Sequence, residues 1–358
     1  RISQSQGRYA GEFIQPVELT RFMCGLANLR KNSKVFNPFA GLASFDVYLS
    51  KNKYFFGQEL NQKTWAMGAL RIMAYGKRVS SEYLCEDSIL NWPEKADKFD
   101  LIISNPPYGV RFGNQYKNVD SEFRTIEQFL IEKGVHSLTE NGKLIALIPQ
   151  GFLFRGMQEQ RLREFLIEND LIDTIISLPG GLLLNTGIPL TILVINKSKD
   201  FRGKVKFVDA TNFVTNVDSR IKVLDDIKLM NFVQSEVIDN SVVRIVNKEQ
   251  IRDNDYNLSV ARYFQEHIEG VKLGHIIEPF RGHRGNLPLT GKLLRIRDLK
   301  DDNVDFIIDD KDVEEKELNR KIISINCKFN IIITCNNIKS SIARRLIRSN
   351  IIIYNITT

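Results

Sequence analysis

Short apolar runs alternate with amphipathic helical patterns from about residue 33 to residue 197 of this chain. The runs are rich in Val, Ile, Leu and Phe, and they lie at 34–36, 54–57, 82–85, 99–104, 143–148, 171–178 and 190–195. Helical patterns lie between several of them, at 61–75, 121–136 and 157–168. Nearly continuous apolar strands separated by helices are typical of a parallel sheet that is covered on both faces. The sequence therefore predicts an α/β fold with a doubly wound, mostly parallel, Rossmann-like sheet and right-handed crossovers.

A smaller module is predicted after this sheet, because 358 residues are enough for two domains. The segment 211–268 is polar and gives no clear pattern, and from Val271 onward strand-like and turn-like stretches dominate. Residues 271–358 carry sixteen Lys and Arg against eleven Asp and Glu, a surplus of five within a net charge of +7. We therefore expect domains at 1–270 and 271–358, the second a partial α+β module with a polyanion as its partner.

Composition argues against several classes of protein. No apolar run approaches the roughly 18 residues that a membrane-spanning helix needs. The four cysteines have neither disulfide-type nor metal-type spacing, so we expect buried thiols in a reducing cytoplasm. The four histidines are scattered, which gives no support to a Ser-His or Cys-His nucleophile. The sequence thus predicts a cytoplasmic protein without a metal site.

The tetrapeptide Asn105-Pro106-Pro107-Tyr108 directly follows the apolar run 99–104. Proline fixes φ and donates no N–H, so the carbonyl groups of such a segment can point into a pocket. The amide of Asn105 adds a further acceptor, and the ring of Tyr108 adds a flat surface. Ligands of doubly wound sheets bind beyond the carboxyl ends of the strands. The motif is therefore predicted to hold a flat, amino-bearing group, although Asn-Pro also occurs in ordinary turns.

Polar residues also follow three earlier strand ends. The loop 37–41 comes after the first run, and its small residues let backbone N–H groups approach a ligand closely. Glu59 ends the second run, where an acid is the expected acceptor for ribose hydroxyls. Asp87 follows the third run and is suited to accept a hydrogen bond from an adenine amino group. Together these residues predict an adenosine pocket, whereas each acid alone could cap a helix.

The order of these motifs resembles that of the S-adenosylmethionine-dependent DNA amino-methyltransferases, and above all the modification (methylase) subunits of type I restriction systems. The resemblance covers residues 7–270. The segment 11–16 resembles the family's motif that closes over the methionine part of the cofactor, with Gln15 in place of the usual Thr. Leu42-Ala43 stands where the glycine loop more commonly has Thr-Gly. Further matches follow in the family's order at 142–154, 176–180, 186–187 and 204–210.

The resemblance implies a cofactor, a reaction and a set of site residues. The cofactor is S-adenosyl-L-methionine, and the catalytic motif is Asn105, Pro106, Pro107 and Tyr108. The implied cofactor-binding residues are Glu12, Phe13, Ile14, Gln15, Pro16, Asn37, Phe39, Ala40, Gly41, Glu59 and Asp87. Asn before Pro-Pro-Tyr resembles enzymes that methylate adenine N6 more than cytosine enzymes. We thus expect a site-specific DNA methyltransferase of a restriction–modification system that acts on a flipped adenine of double-stranded DNA.

The same resemblance implies partners and leaves alternatives open. Residues 271–358 resemble the start of a target-recognition domain from a type I specificity subunit, with 295–299 as an early strand. A specificity subunit or a second copy of the chain, and a restriction subunit, are further implied partners. One alternative is a catalytically silent DNA-binding or assembly subunit with the same fold. The other is a methyltransferase that acts on RNA or on a protein glutamine.

Overall fold

A computed structural model gives the fold of the chain. It describes residues 15–49, 54–76, 81–94, 98–119, 121–123, 125–183, 188–216, 222–235, 239–264, 279–281, 323–326 and 330–333. The chain divides into two compact units, Arg1–Glu266 and His267–Thr358. The boundary at 270/271 that the sequence predicts lies outside the described residues and stays a prediction.

The first unit is built on a nine-stranded sheet. Its strands, numbered in chain order, are β1 (Lys34–Asn37), β2 (Tyr54–Gln58), β3 (Ser81–Leu84), β4 (Phe99–Ser104), β5 (Leu138–Pro149), β6 (Ile172–Ser177), β7 (Leu190–Asn196), β8 (Lys204–Asp209) and β11 (Val243–Asn247). A separate antiparallel pair consists of β9 (Val214–Asn216) and β10 (Lys222–Leu224). The order across the sheet is β11-β8-β6-β7-β5-β4-β1-β2-β3. Because β1, β2, β3, β4 and β5 run parallel, their carboxyl ends share one edge of the sheet.

Helices follow most of these strands. They are α1 (Val17–Ala27), α2 (Ser44–Tyr48), α3 (Gln62–Ala74), α4 (Ile126–Ser137), α5 (Gln158–Glu168), α6 (Asp226–Gln234), α7 (Lys248–Asp253) and α8 (Val260–Phe264). Short 3₁₀ turns lie at Asn114–Tyr116 and Gln150–Leu153. Side-chain oxygens cap the first turns: Asn61 accepts from the N–H of Lys63 and Thr64, and Thr125 accepts from the N–H of Gln128. These caps fix where α3 and α4 begin, just beyond the sheet edge that β1–β4 share.

Both faces of the sheet are buried, as the continuous apolar strands predict. On β4, Leu101 and Ile103 join a core that contains residues of α1 and α6, whereas Ile102 joins the opposite core. That second core is filled from the helices α4, α5, α7 and α8. Successive side chains of a strand point to opposite faces, so each central strand must be apolar on both sides. The confirmed architecture is a mostly parallel α/β sheet between two helical layers.

Strand β7 departs from an all-parallel arrangement. It is antiparallel to both of its neighbours, β5 and β6, and β11 is antiparallel to β8. Residues 178–189 connect β6 to β7, and the described part of this connection contains no helix. A parallel return usually passes through a crossover helix. The lack of a helix in the described part of the connection agrees with the antiparallel return of β7.

Other differences from the sequence expectations lie outside the central strands. The segment 211–268, which gave no clear pattern, contains β9, β10, α6, β11, α7 and α8. Cys85 is exposed, so the expectation of a buried thiol is wrong at that position, because it lies just past the end of β3. No helix in the described part of the chain has the length and apolar character that crossing a bilayer requires.

In the second unit the described residues form a three-stranded antiparallel sheet. Its strands are β12 (Pro279–Arg281), β13 (Ile323–Asn326) and β14 (Asn330–Ile333), with β13 in the middle. The strand predicted at 295–299 lies outside the described residues.

Candidate active site

A cavity of about 520 Å³ opens at the carboxyl ends of β1–β4. Volumes of about 300–1,000 Å³ are usual for small-molecule sites. Its wall is formed by residues from the loops after these four strands, together with residues from α2, α3, α4 and the segment before α1: Gln15, Asn37, Pro38, Phe39, Ala40, Gly41, Leu42, Ser44, Phe45, Glu59, Leu60, Asn61, Thr64, Met67, Asp87, Ser88, Ile89, Asn105, Pro106, Pro107, Tyr108, Tyr116 and Ile126. The parallel register accounts for this convergence, because it pairs Asn37 with Gly57 and Gln58 with Leu84.

Of the predicted site residues that the structure describes, all but one line this cavity. Pro16 is the exception, since it is absent from the wall and its carbonyl accepts the backbone N–H and the hydroxyl of Thr20 at the start of α1. Glu12, Phe13 and Ile14 lie outside the described residues. Lining a common cavity places these side chains but assigns no role to any of them.

The loop after β1 is shaped by two residues with positive φ. Gly41 has φ +55° and Ala43 has φ 54°. Glycine adopts this region freely, whereas a residue with a Cβ pays roughly 1–2 kcal/mol there. Ala43, one of the two departures from the common glycine loop, is therefore a point of local strain. The N–H of Ala40 donates to the carbonyl of Gln58 at 2.8 Å and fastens the loop to the end of β2.

The carboxylate of Glu59 joins two segments of the cavity wall. Its Oε2 accepts the N–H of Gly41 at 3.0 Å, and its Oε1 accepts the N–H of Asn61 at 2.7 Å. The side chain thus connects the glycine loop to the residue that caps α3. These two bonds hold the acid at the cavity wall in one orientation.

Asp87 is held at the cavity wall by a residue that the sequence reasoning missed. Its Oδ1 accepts the N–H of Ile89 at 2.9 Å, and its Oδ2 accepts the hydroxyl of Tyr116 at 2.8 Å. Burial, together with the bond to Asp87, raises the pKa of Tyr116 above its usual value. Tyr116 lies in the irregular segment after the Asn-Pro-Pro-Tyr motif, 29 positions from Asp87, where no periodicity predicts a contact.

The Asn105 amide is bonded on both sides. Its Nδ2 donates to Oε1 of Gln15 at 3.1 Å, and its Oδ1 accepts the hydroxyl of Tyr108. The ring of Tyr108 is partly buried against the core beside α1. Burial, and secondarily the nearby charge of Glu127, raises the pKa of Tyr108 far above its usual value. The hydroxyl therefore keeps its proton at neutral pH and can donate to Asn105.

A buried carboxylate, also missed by the sequence reasoning, supports the loop behind this motif. Glu127, in the first turn of α4, is 5% exposed and accepts the N–H of Gly109. Gly109 has φ +67°, which favours glycine at this turn. The N–H of Ile126 also donates to the carbonyl of Val110 at 3.1 Å. Burial raises the pKa of Glu127, although the Gly109 N–H and other bonds partly oppose the shift.

One residue of the cavity wall carries a buried polar group without a partner. Asn37 is 1% exposed, and its Nδ2 has no hydrogen-bond partner among the described residues. Buried donors in folded proteins are nearly always paired, so this atom is an exception. A nucleoside-containing ligand in the cavity finds acids at Glu59 and Asp87. The described residues contain no group of three or more His, Cys, Asp and Glu side chains that could hold a metal ion.

Comparison with known proteins agrees with this geometry. The sequence profile described as N-6 DNA Methylase matches residues 1–270. The chain is 23% identical over 304 residues to the type I restriction enzyme MpnII methylase subunit of Mycoplasma pneumoniae, covering 76% of this chain and 56% of that protein. It is 27% identical over 311 residues to the type I restriction enzyme MjaVII methylase subunit of Methanocaldococcus jannaschii, covering 76% and 52%. The chain thus spans about half the length of these curated relatives.

A solved structure supports the same assignment. The methyltransferase subunit of a type I restriction-modification system from Streptococcus thermophilus superposes with a TM-score of 0.65 at 25% identity, covering 73% of this chain and 61% of that one. The comparisons confirm the predicted resemblance of residues 7–270, the methyltransferase fold and S-adenosyl-L-methionine as the cofactor. Since the family profile extends over the whole described sheet and every residue of the cavity wall, this chain belongs to the N-6 DNA methylase family.

Proposed function

We propose that this chain transfers a methyl group from S-adenosyl-L-methionine to the N6 amino group of adenine in DNA, as the modification enzyme of a restriction–modification system. One observation carries the proposal: Asn105-Pro106-Pro107-Tyr108 opens into the same cavity as the glycine loop, Glu59 and Asp87. The acceptors that suit an amino group therefore lie beside the residues that suit a nucleoside cofactor.

Asn105 and Pro106 supply the acceptors for the reacting amino group. The lone pair of an adenine amino group is delocalised into the ring, which makes the nitrogen a poor nucleophile. When Oδ1 of Asn105 and the carbonyl of Pro106 accept its two N–H bonds, they stabilise the positive charge that develops on nitrogen during transfer. An amide oxygen has two lone pairs, so Oδ1 can accept the adenine amino group and the Tyr108 hydroxyl together. The accepting nitrogen becomes cationic as the methyl group leaves the sulfonium sulfur, and it then releases one proton to water. The step therefore requires no strong base.

Tyr108 supplies a surface for the base. Adenine within a duplex cannot reach a cavity at the edge of a sheet, so it must be flipped out at a cost of a few kcal/mol. Stacking on an aromatic ring is worth about 1–3 kcal/mol per base and offsets much of this cost. The contact between Tyr108 and the core beside α1 fixes the ring at the cavity wall.

Other wall residues orient the cofactor. When bound, S-adenosyl-L-methionine supplies an electrophilic methyl group on a sulfonium sulfur. Glu59 accepts the ribose hydroxyls, Asp87 accepts the adenine amino group, and the loop 37–41 lies against the cofactor with its small residues. Holding both reactants in line provides much of the rate enhancement through proximity.

The names of the curated relatives also suggest which partners this chain has. The Mycoplasma and Methanocaldococcus proteins are described as methylase subunits of type I restriction enzymes. By that likeness we propose that this chain works on double-stranded DNA with a specificity subunit or a second copy of itself, and with a restriction subunit. In this proposal residues 271–358 belong to a target-recognition domain.

The test replaces the proposed amino-group acceptor. Asn105→Ala in the full-length protein should abolish N6-methyladenine formation and leave S-adenosyl-L-methionine affinity within about threefold, because Asn105 faces the accepting nitrogen rather than the nucleoside acids. The full-length gene is expressed with its neighbouring genes in a host that has no adenine methylation of its own. N6-methyladenine in the DNA of this host is then measured by mass spectrometry of its nucleosides. Cofactor affinity is measured by calorimetry on the purified protein.

The same measurements separate the alternatives. A catalytically silent subunit would bind the cofactor weakly and leave host DNA unmodified in the unmutated form. A methyltransferase for RNA or protein glutamine would leave DNA unmodified but bind the cofactor well. Methylation of DNA by the Asn105→Ala protein at the unmutated rate would exclude Asn105 from catalysis.

A further inference from the structure

The orientation of the Asn105 amide decides whether this residue can serve the proposed reaction. A primary amide has a carbonyl at one end and an NH₂ group at the other, and rotation by 180° exchanges them. Only one orientation presents the oxygen to an adenine amino group, since the other would set two donors against each other. Some feature of the protein must therefore distinguish between the two orientations.

The bond from Tyr108 cannot make this distinction by itself. Its hydroxyl donates to Oδ1 of Asn105, but a hydroxyl can rotate and accept instead of donating. The same contact would thus tolerate either orientation of the amide. The other partner, Oε1 of Gln15, is a carbonyl oxygen that can only accept, so it pairs with Nδ2 of Asn105 and disfavours Oδ1 in its place.

The amide of Gln15 also has a preferred orientation, because its NH₂ group contacts the sulfur of Met23. Nε2 of Gln15 lies 4.0 Å from Sδ of Met23, as donor to a weak acceptor. Met23 lies within α1 and is fully buried at 0% exposure, so no water competes for its sulfur. A thioether has no proton to donate, and the carbonyl of Gln15 gains nothing by facing it. The donor end of Gln15 therefore faces Met23, and the acceptor end faces Asn105.

The surroundings of Gln15 hold it in this place. The side chain is only 6% exposed, and the next residue, Pro16, precedes the first turn of α1. The carbonyl of Pro16 accepts the N–H and the hydroxyl of Thr20, both at 3.0 Å. A residue 90 positions before Asn105 is thus fixed next to it by the start of α1.

We propose that Gln15 is a positioning residue for catalysis: its side-chain carbonyl sets the orientation of the Asn105 amide and so aims Oδ1 at the substrate amino group. This inference rests on the proposed function and adds a role that lining a cofactor cavity does not supply. Asn105 donates to Gln15, and Gln15 in turn donates to Met23.

The test compares Gln15→Met with Gln15→Glu in the full-length protein. Both replacements are unbranched and close to Gln in length, but only Glu keeps an acceptor for Nδ2 of Asn105. Gln15→Met should lower the single-turnover methylation rate by about tenfold or more, with cofactor affinity and the KM for DNA changed by no more than about threefold. Gln15→Glu should recover most of that rate at neutral pH. Its rate should fall more steeply than that of the unmutated protein on acidification, because a protonated carboxyl can donate.

Each result has a defined meaning. An unmutated protein that methylates no DNA overturns the proposed function and this inference with it. An active unmutated protein with an unimpaired Gln15→Met variant overturns only this inference, and so do equal losses in the Met and Glu variants. A loss of cofactor affinity that matches the loss of rate would make Gln15 a cofactor contact instead. If Gln15→Met does not fold, as judged by thermal unfolding, Gln15→Ala takes its place in the comparison with Gln15→Glu.

Discussion

At the scale of single residues, Glu59 combines a structural task with its proposed ligand contact. Its carboxylate accepts the N–H of Gly41 and of Asn61, so it shapes the glycine loop whether or not a cofactor is bound. We expect Glu59→Ala to weaken S-adenosyl-L-methionine binding by about 1–3 kcal/mol, because a pair of ribose hydroxyls and two N–H groups would lose a charged acceptor. Calorimetric titration measures the change.

A matched variant separates these two tasks. Glu59→Gln keeps an oxygen for one N–H but places an NH₂ group at the other position. Its affinity should lie between those of the unmutated protein and Glu59→Ala, while thermal unfolding shows how much of the effect is structural. Unchanged affinity in the Ala variant would leave Glu59 a purely structural residue.

Glu127 makes stability depend on pH. Burial raises its folded-state pKa above the ordinary value of 4.5. Between these two values the folded protein holds a proton that the unfolded chain has lost, so the free energy of unfolding falls as pH rises through this window. Glu127→Gln keeps an oxygen for the Gly109 N–H and cannot ionise. As pH rises from about 4.5 toward neutrality, we expect the free energy of unfolding of the variant to fall less than that of the unmutated protein.

Thermal unfolding at a series of pH values measures this effect. Glu122→Gln, at an exposed position shortly before α4, is the matched control and should follow the unmutated protein. If Glu127→Gln and the unmutated protein show parallel curves of melting temperature against pH, the carboxyl of Glu127 does not titrate differently in the folded state.

At the scale of elements, a group of hydrogen bonds fastens α7 to the end of α5. Glu168 accepts from Arg252, from the hydroxyl of Tyr256 and from Lys248, which lies 3.1 Å away. These bonds, that of Arg252 first, lower the pKa of Glu168 to about 2. A lowered folded-state pKa contributes stability that is present above the ordinary value of 4.5 and is lost as pH falls toward about 2.

The corresponding prediction concerns local opening of α7. Glu168→Gln should speed amide hydrogen exchange in α7 at neutral pH, because the helix loses its charged contact with α5. The difference from the unmutated protein should shrink as pH falls below about 4.5. Hydrogen-exchange mass spectrometry measures both, with Glu164→Gln, at an exposed position on α5, as the control. Equal protection of α7 in all three proteins would show that these bonds do not hold the helix.

At the scale of the whole molecule, the basic surplus in residues 271–358 predicts a role in DNA binding. Deleting this segment should weaken DNA affinity, reduce sequence selectivity and flatten the salt dependence of binding, because phosphate contacts release counterions. Salt titrations of the full-length and truncated proteins measure these changes. Cofactor affinity, which should be retained, shows that the truncated protein is folded. Equal affinities and slopes would remove this segment from DNA recognition.

The sequence predicted the elements that build the site more reliably than the contacts inside it. The strand Phe99–Ser104 and the position of Asn105 after it follow from an unbroken apolar run that ends at Asn-Pro. The direction of β7 could not be read in this way, since an antiparallel strand buried on both faces has the same composition as a parallel one.

Individual side-chain partners were beyond the reach of the sequence. Gln15 and Asn105 lie 90 positions apart, and Asp87 and Tyr116 lie 29 apart. Neither pair shares an element whose periodicity would place its members on a common face. Such contacts depend on how α1 and the irregular segment after β4 pack against the sheet, which only the tertiary structure specifies.

The bond between Tyr116 and Asp87 has a thermodynamic consequence for the order in which two ligands bind. If Asp87 accepts the cofactor's adenine amino group, as proposed, the same carboxylate also accepts the hydroxyl of Tyr116. Tyr116 lies in the segment after Asn105-Pro-Pro-Tyr108, next to the proposed DNA site. A cofactor that changes the Tyr116–Asp87 hydrogen bond therefore alters this segment. Linkage is reciprocal, so DNA that rearranges the segment must change cofactor affinity by the same factor by which cofactor changes DNA affinity. Under the proposed roles, Tyr116 would couple the binding of the two reactants. The coupling would be positive if both favour the same position of the Tyr116 hydroxyl, and negative if they favour different positions.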